Sequence, residues 1–103
     1  MGGQKAPSDR RLKRDIEWVR TTQNGVKLYA FRYLNDEQRF LGAMAQDLLE
    51  DPALASAVQA DAQGVYSVDY AQLGLRIVGG DAMYEAGQAA VRAYESSGAS
   101  AAP

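Results

Sequence analysis

The chain contains no cysteine and no histidine among its 103 residues. Without cysteine there is no disulfide framework, no thiolate nucleophile and no zinc–thiolate site. Without histidine there is no Ser-His-Asp triad and no imidazole metal ligand. Any general base must therefore be a lysine, a carboxylate or a tyrosine. A metal would need an all-oxygen site, and no run of carboxylates has calcium-loop spacing, so neither a metal nor another cofactor is expected. Long apolar runs are also missing, and the opening residues MGGQKAPSD lack the apolar centre of a signal peptide. Ala6 stands where a myristoylation start would carry Ser or Thr. A soluble chain with no membrane partner is expected.

What is present fits one small domain. The hydrophobic content is 47%, ordinary for a globular protein, and the formal net charge of -2 argues against a nucleic-acid partner. A chain of this length buries a modest share of its surface, so association with further copies would help it. The charge is unevenly placed. Lys5, Arg10, Arg11, Lys13 and Arg14 crowd the start, with Asp9 the one acid among them. That basic segment reads either as a solvated arm or as a surface for an acidic body.

Along the chain, residues 1–7 read as a flexible N-terminal segment. Ser8 can cap a helix from Asp9, with Leu12 and Ile16 four apart on one face and Trp18 and Val19 extending it. "TTQNG" is a turn. "VKLYAFRYL" reads as a strand, and "RFLGAMA" pairs with it antiparallel across the polar loop at 35–38. "AQDLL" is helical in composition, and Pro52 opens a second short helix with Asp51 before it as cap. "VYSVDY" is a strand, and Asp69 caps the segment after it. "DAMYEAGQAAVRAYE" reads as a C-terminal helix capped by Asp81, with a thin face of Met83, Ala86, Ala90, Val91 and Tyr94. Residues 96–103 read as a tail. No internal repeat is present. The order is α+β: short antiparallel strands, short helices and a C-terminal helix over a domain at 8–95.

The opening stretch "SDRRLKRDI" places Ser8 five residues before Lys13. A serine nucleophile served by a lysine base needs that lysine neutral, and free lysine has a pKa of about 10.4. Neighbouring cations lower it, and Arg10, Arg11 and Arg14 flank Lys13. Spacing alone leaves the plainer reading open, in which Ser8 is a helix cap and Lys13 a solvated side chain.

Four ordered blocks add to this. They are Ser8, Asp9, Arg11, Leu12 and Lys13; then Tyr29, Phe31 and Tyr33; then Gly42, Ala45, Gln46 and Asp47; then Val68, Asp69 and Tyr70. In this order they resemble the endosialidase-type intramolecular chaperone domain at the C-terminus of phage tailspikes and tail fibres. The resemblance covers about residues 8–76. It implies a homotrimer that guides an upstream fibre or tailspike polypeptide, its folding client, into register. It further implies release by autoproteolysis, assembly in the host cytoplasm, and a place on a phage tail if the domain is retained.

Carried onto this chain, the resemblance puts the scissile bond between Pro7 and Ser8, with Ser8 as nucleophile and Lys13 as base. Gln46 is the candidate oxyanion donor, or else a structural amide. Asp69 is a candidate for orienting a cation, or else a helix cap. Cleavage would release MGGQKAP, so a non-cleaving trimerisation or assembly module stands as the alternative.

Overall fold

The computed structural model describes residues 5–77 and 79–97. Its backbone is α+β, with six short strands, all paired antiparallel, and two α-helices among the described residues. The expected homotrimer lies beyond a single chain.

One sheet is formed by β2 (Lys13–Thr21), β3 (Lys27–Tyr33) and β4 (Arg39–Gly42), with β3 in the middle. The antiparallel pair read over 26–44 is therefore present, and it places Phe31 opposite Phe40 and Tyr29 opposite Gly42. The helix read from Asp9 onward is corrected. Residues 10–12 make a single 3-10 turn, and residues 13–21 are strand β2. The cap is Asp9, whose carboxylate accepts from the Arg11 N–H, and not Ser8. β-branched and aromatic residues at 16, 18, 19 and 21 suit a strand better than a helix. Leu12 and Ile16 do not share a helix face, because the register shifts between Arg14 and Glu17, where Asp15 adopts a φ of 55°.

The second sheet has β6 (Tyr66–Asp69) between β1 (Lys5–Pro7) and β5 (Val58–Ala60). Residues 5–7, read with the flexible start, are thus an edge strand that sets Pro7 opposite Ser67. The rest of that segment, 1–4, and the tail from 98 onward lie outside the described residues. Helix α1 (Ala45–Leu49) follows β4 directly. The short helix read at Pro52 is a turn leading to a 3-10 turn at Ala55–Ala57.

Helix α2 (Gly80–Ser96) is capped two residues earlier than read, by Gly79 in the left-handed region in place of Asp81, with no side-chain cap hydrogen bond. Asp81 lies in its first turn, favourable to the helix dipole. The buried face of α2 is Met83, Ala86, Gly87 and Ala90, as thin as its composition suggested. That thinness is what admits Pro7. A Cβ added at Gly87 would stand 2.9 Å from both Cγ and Cδ of Pro7, closer than real contacts allow. The core between these layers is built on Leu12, Phe31, Tyr33, Met44, Val68 and Tyr70, each almost fully buried.

Candidate active site

The Pro7–Ser8 peptide lies where the two sheets and α2 meet, and it is held on every side. The Ser8 N–H donates to the Tyr66 carbonyl at 3.1 Å, continuing the β1–β6 ladder by one residue. The Ser8 carbonyl accepts from the Ala45 N–H at 2.9 Å, one of the donors that a helix start leaves free. The Pro7 carbonyl accepts from the Tyr33 hydroxyl at 2.5 Å. Pro7 itself packs on Gly87. Each contact comes from a different element, so the peptide is fixed by the tertiary fold and not by local turn geometry.

The Ser8 hydroxyl is fully buried and stands 2.6 Å from the Tyr70 hydroxyl. Tyr70 Oη also accepts from the Ala43 N–H at 3.0 Å and lies 3.4 Å from the Ala43 carbonyl. The approach needs Gly42, since a Cβ there would fall 2.7 Å from Tyr70 Oη. Burial raises the Tyr70 pKa to about 12, with the Ser8 and Ala43 bonds working against it, so the phenol keeps its proton at neutral pH.

Lys13 opens β2 and points inward, 5% exposed. Its Nζ donates to the Ala43 carbonyl at 2.9 Å, and no carboxylate bonds to it among the described residues. Burial pushes its pKa well below the ordinary 10.5; the Asp9 charge opposes this and the Arg10 charge adds to it. Nζ also lies 3.9 Å from the centre of the Phe31 ring, a contact that favours the ammonium form. Burial outweighs it, because a single backbone acceptor and a ring face replace little of a lost hydration shell. Ser8 and Lys13 share no direct hydrogen bond among the described residues. Ser8 reaches the Tyr70 hydroxyl, that hydroxyl reaches the N–H and the carbonyl of Ala43, and Lys13 reaches the same carbonyl.

Asp9, read as a carboxylate near a helix start, is instead a buried hub. It accepts from Arg11 Nε at 2.9 Å, Arg11 Nη2 at 2.7 Å, Gln46 Nε2 at 2.8 Å and the Tyr66 N–H at 3.1 Å. Burial alone would raise its pKa, but the bonds from Arg11, Gln46 and Tyr66 reverse that and leave it lowered. Gln46 is thereby engaged at both ends, its Oε1 accepting from the Arg10 N–H at 2.9 Å. Asp69 caps the turn at Tyr70–Leu73, accepting from the Ala71 N–H at 3.1 Å and from Gln72 Nε2 at 3.1 Å. Neither group contacts the Pro7 carbonyl or Lys13.

The two tyrosines at the site escape sequence reasoning, which gives neither of them a role in the chemistry. Their one sequence signal is position, since Tyr33 and Tyr70 each close one of the ordered blocks. Among the described residues no group of three or more carboxylates could hold a metal ion, and no helix is long and apolar enough to cross a membrane. A family model described as chaperone of endosialidase matches residues 8–59, about half of the chain. No curated protein and no solved structure matches it.

Proposed function

The chain belongs to the chaperone-of-endosialidase family, and from that premise we propose that it is the intramolecular chaperone domain of a phage-type tail fibre or tailspike, which cuts its own chain before Ser8. It works as a homotrimer on an upstream fibre polypeptide during assembly in the host cytoplasm. Exposed apolar side chains on β2 and β4, among them Trp18 at 58% and Leu41 at 46%, supply surface for contact between copies.

The observation that carries the cleavage reading is the environment of one peptide bond. Pro7–Ser8 is buried, its carbonyl oxygen has a hydroxyl donor, its serine hydroxyl is hydrogen-bonded to Tyr70, and a lysine with a depressed pKa ends on the Ala43 carbonyl that Tyr70 also approaches. Ser8 Oγ attacks the Pro7 carbonyl carbon, closing a five-membered ring through Cβ, Cα and N. Neutral Lys13 accepts a proton by way of Tyr70, whose hydroxyl takes the Ser8 proton as it passes its own to Nζ, and Nζ leaves the Ala43 carbonyl to receive it. The C–N bond then breaks as the Ser8 nitrogen takes that proton, leaving Pro7 joined to Ser8 Oγ as an ester. Water hydrolyses the ester, giving a Pro7 carboxylate and restoring the Ser8 hydroxyl.

The test is intact mass over time under denaturing conditions, because β1 is hydrogen-bonded to β6 and that pairing would hold a cut segment on the folded domain. Wild type is expected to lose residues 1–7, while Ser8→Ala and Lys13→Met keep them. Full-length mass in all three would sink self-cleavage and make the domain a non-cleaving assembly module.

A further inference from the structure

We propose that Tyr33 is a catalytic residue of this self-cleavage, the donor that holds the negative charge developing on the Pro7 carbonyl oxygen. The proposal rests on the cleavage reading above. Its ground is the contact already made: Tyr33 Oη donates to Pro7 O at 2.5 Å, within the range of O–H bonds to charged oxygen. In forming the tetrahedral intermediate, the C=O bond becomes C–O⁻ while Oγ–C forms. The donor that polarises the carbonyl is then already aimed at the oxyanion.

Position supports the assignment. Tyr33 is the last residue of β3 and the register partner of Lys13 at the start of β2. One cross-strand pair therefore carries the base and the oxyanion donor on neighbouring strands, with Lys13 Nζ 5.9 Å from the centre of the Tyr33 ring. The ring is packed edge-on against Phe31, centroids 5.1 Å apart at 88°, and against Phe40 at 5.7 Å. It is fully buried, so the hydroxyl needs little reorganisation as charge appears. Burial and the neighbouring Tyr70 push its pKa well up, so it stays a donor across the pH range in which a lysine base works. Gln46, the candidate from sequence, has its amide committed to Asp9 and the Arg10 N–H.

The experiment is Tyr33→Phe in the full chain, which removes one oxygen and keeps the ring. The cleavage rate is expected to fall about 10²–10³-fold, the usual cost of deleting one oxyanion donor. The pH at which the rate rises, set by Lys13, should stay in place. In the Ser8→Ala background, where the bond stays whole, the carbonyl ¹³C resonance of Pro7 should move when Tyr33→Phe is added. A rate within about threefold of wild type, or an unmoved Pro7 resonance, overturns the assignment. Should Tyr33→Phe fail to fold, 3-fluorotyrosine at position 33 keeps the hydroxyl and makes it a stronger donor. It should raise the rate, and an unchanged rate overturns the proposal. Wild type that never cleaves overturns the cleavage reading and this assignment together, whereas cleaving wild type beside an equally fast Tyr33→Phe overturns this assignment alone.

Discussion

Lys13 and Arg14 are neighbours in one basic run, yet the fold treats them in opposite ways. On a strand successive side chains face opposite sides, so Lys13 enters the interior and Arg14 leaves it. Lys13 is 5% exposed and reaches the Ala43 carbonyl and the Phe31 and Tyr33 rings. Arg14 bonds Asp15 at 2.8 Å, Glu37 at 3.1 Å and the Asp36 carbonyl at 2.9 Å, at the edge of solvent. The sequence counts two positive charges. The structure gives one group that burial drives toward neutrality and one held in a surface network of ion pairs. Charge patterning therefore cannot separate a base from a solubilising cation; the strand face does. The difference also explains why the arginines flanking Lys13 matter less than expected, since burial is the main cause of its lowered pKa and Arg10 adds a smaller part.

The largest effect should come from removing the buried member. Lys13→Met is expected to abolish cleavage outright, because Tyr70, the other titratable group at Ala43, keeps its proton at neutral pH and cannot replace the base. Its effect on stability should run the other way. The folded-state pKa of Lys13 lies below the unfolded one, so between the two values the unfolded chain binds the extra proton and stability rises with pH. At neutral pH wild type still carries that cost. In the uncleaved Ser8→Ala background, Lys13→Met should be more stable than Lys13 by about 1–2 kcal/mol, a figure already reduced for the acceptor left at Ala43. The gain should shrink toward pH 10.5, where the unfolded lysine also becomes neutral. Urea melts across that range check it, and a gain that does not vary with pH would mean that Lys13 is charged in the folded state.

Asp9→Asn should come next, and it sharpens the contrast from the other side of the site. The Asp9 charge is what opposes neutralisation of Lys13. Removing it should shift the rise of the cleavage rate to lower pH. It should also cost roughly 2 kcal/mol, because the Arg11, Gln46 and Tyr66 donors lose a charged acceptor. The sign with pH is the usual acid case. Its folded pKa is below the ordinary 3.8, so its stabilisation is present above that value and is lost as pH falls through the folded one. Acid melts of Asp9→Asn should therefore be flatter than those of wild type. A cleavage profile that stays in place would show that Asp9 does not act on Lys13.

The same contrast marks what is legible in the sequence. Strands β3, β4 and β6 and the long helix announce themselves, because aromatic and β-branched runs and a three-to-four spacing are local signals. Strand β2 reads as a helix for a physical reason: Leu12 and Ile16 lie four apart, a helical spacing, but a 3-10 turn ends between them and a bulge at Asp15 resets the register. Strands β1 and β5 have three residues each and exist only as neighbours of β6. Ser8 and Lys13 can be named from the ordered blocks. The burial that gives them their chemistry cannot. Tyr33 and Tyr70 can be seen as aromatic, but their contacts with Pro7 and Ser8 span 26 and 62 residues, and no local pattern encodes such pairings.

The smallest effect should be Arg14→Ala, and that smallness is the point of the comparison. The Arg14 side chain is 34% exposed and its partners Asp15 and Glu37 are 49% and 92% exposed, so solvent screens both pairs. Exposed pairs of this kind contribute about 0.2–1 kcal/mol, and added salt reduces that further. Asp15 keeps a second cation, Arg32 at 3.0 Å, so its charge is not stranded. Arg14→Ala should therefore lower stability by no more than ~1 kcal/mol and leave the rate and pH profile of cleavage unchanged. Paired with Lys13→Met in the same assays, it separates position from charge: two adjacent cations, each replaced by a neutral side chain, one ending the chemistry and one leaving it alone. A cleavage profile displaced by Arg14→Ala would show that the surface network sets the Lys13 pKa after all, and that burial does not act by itself.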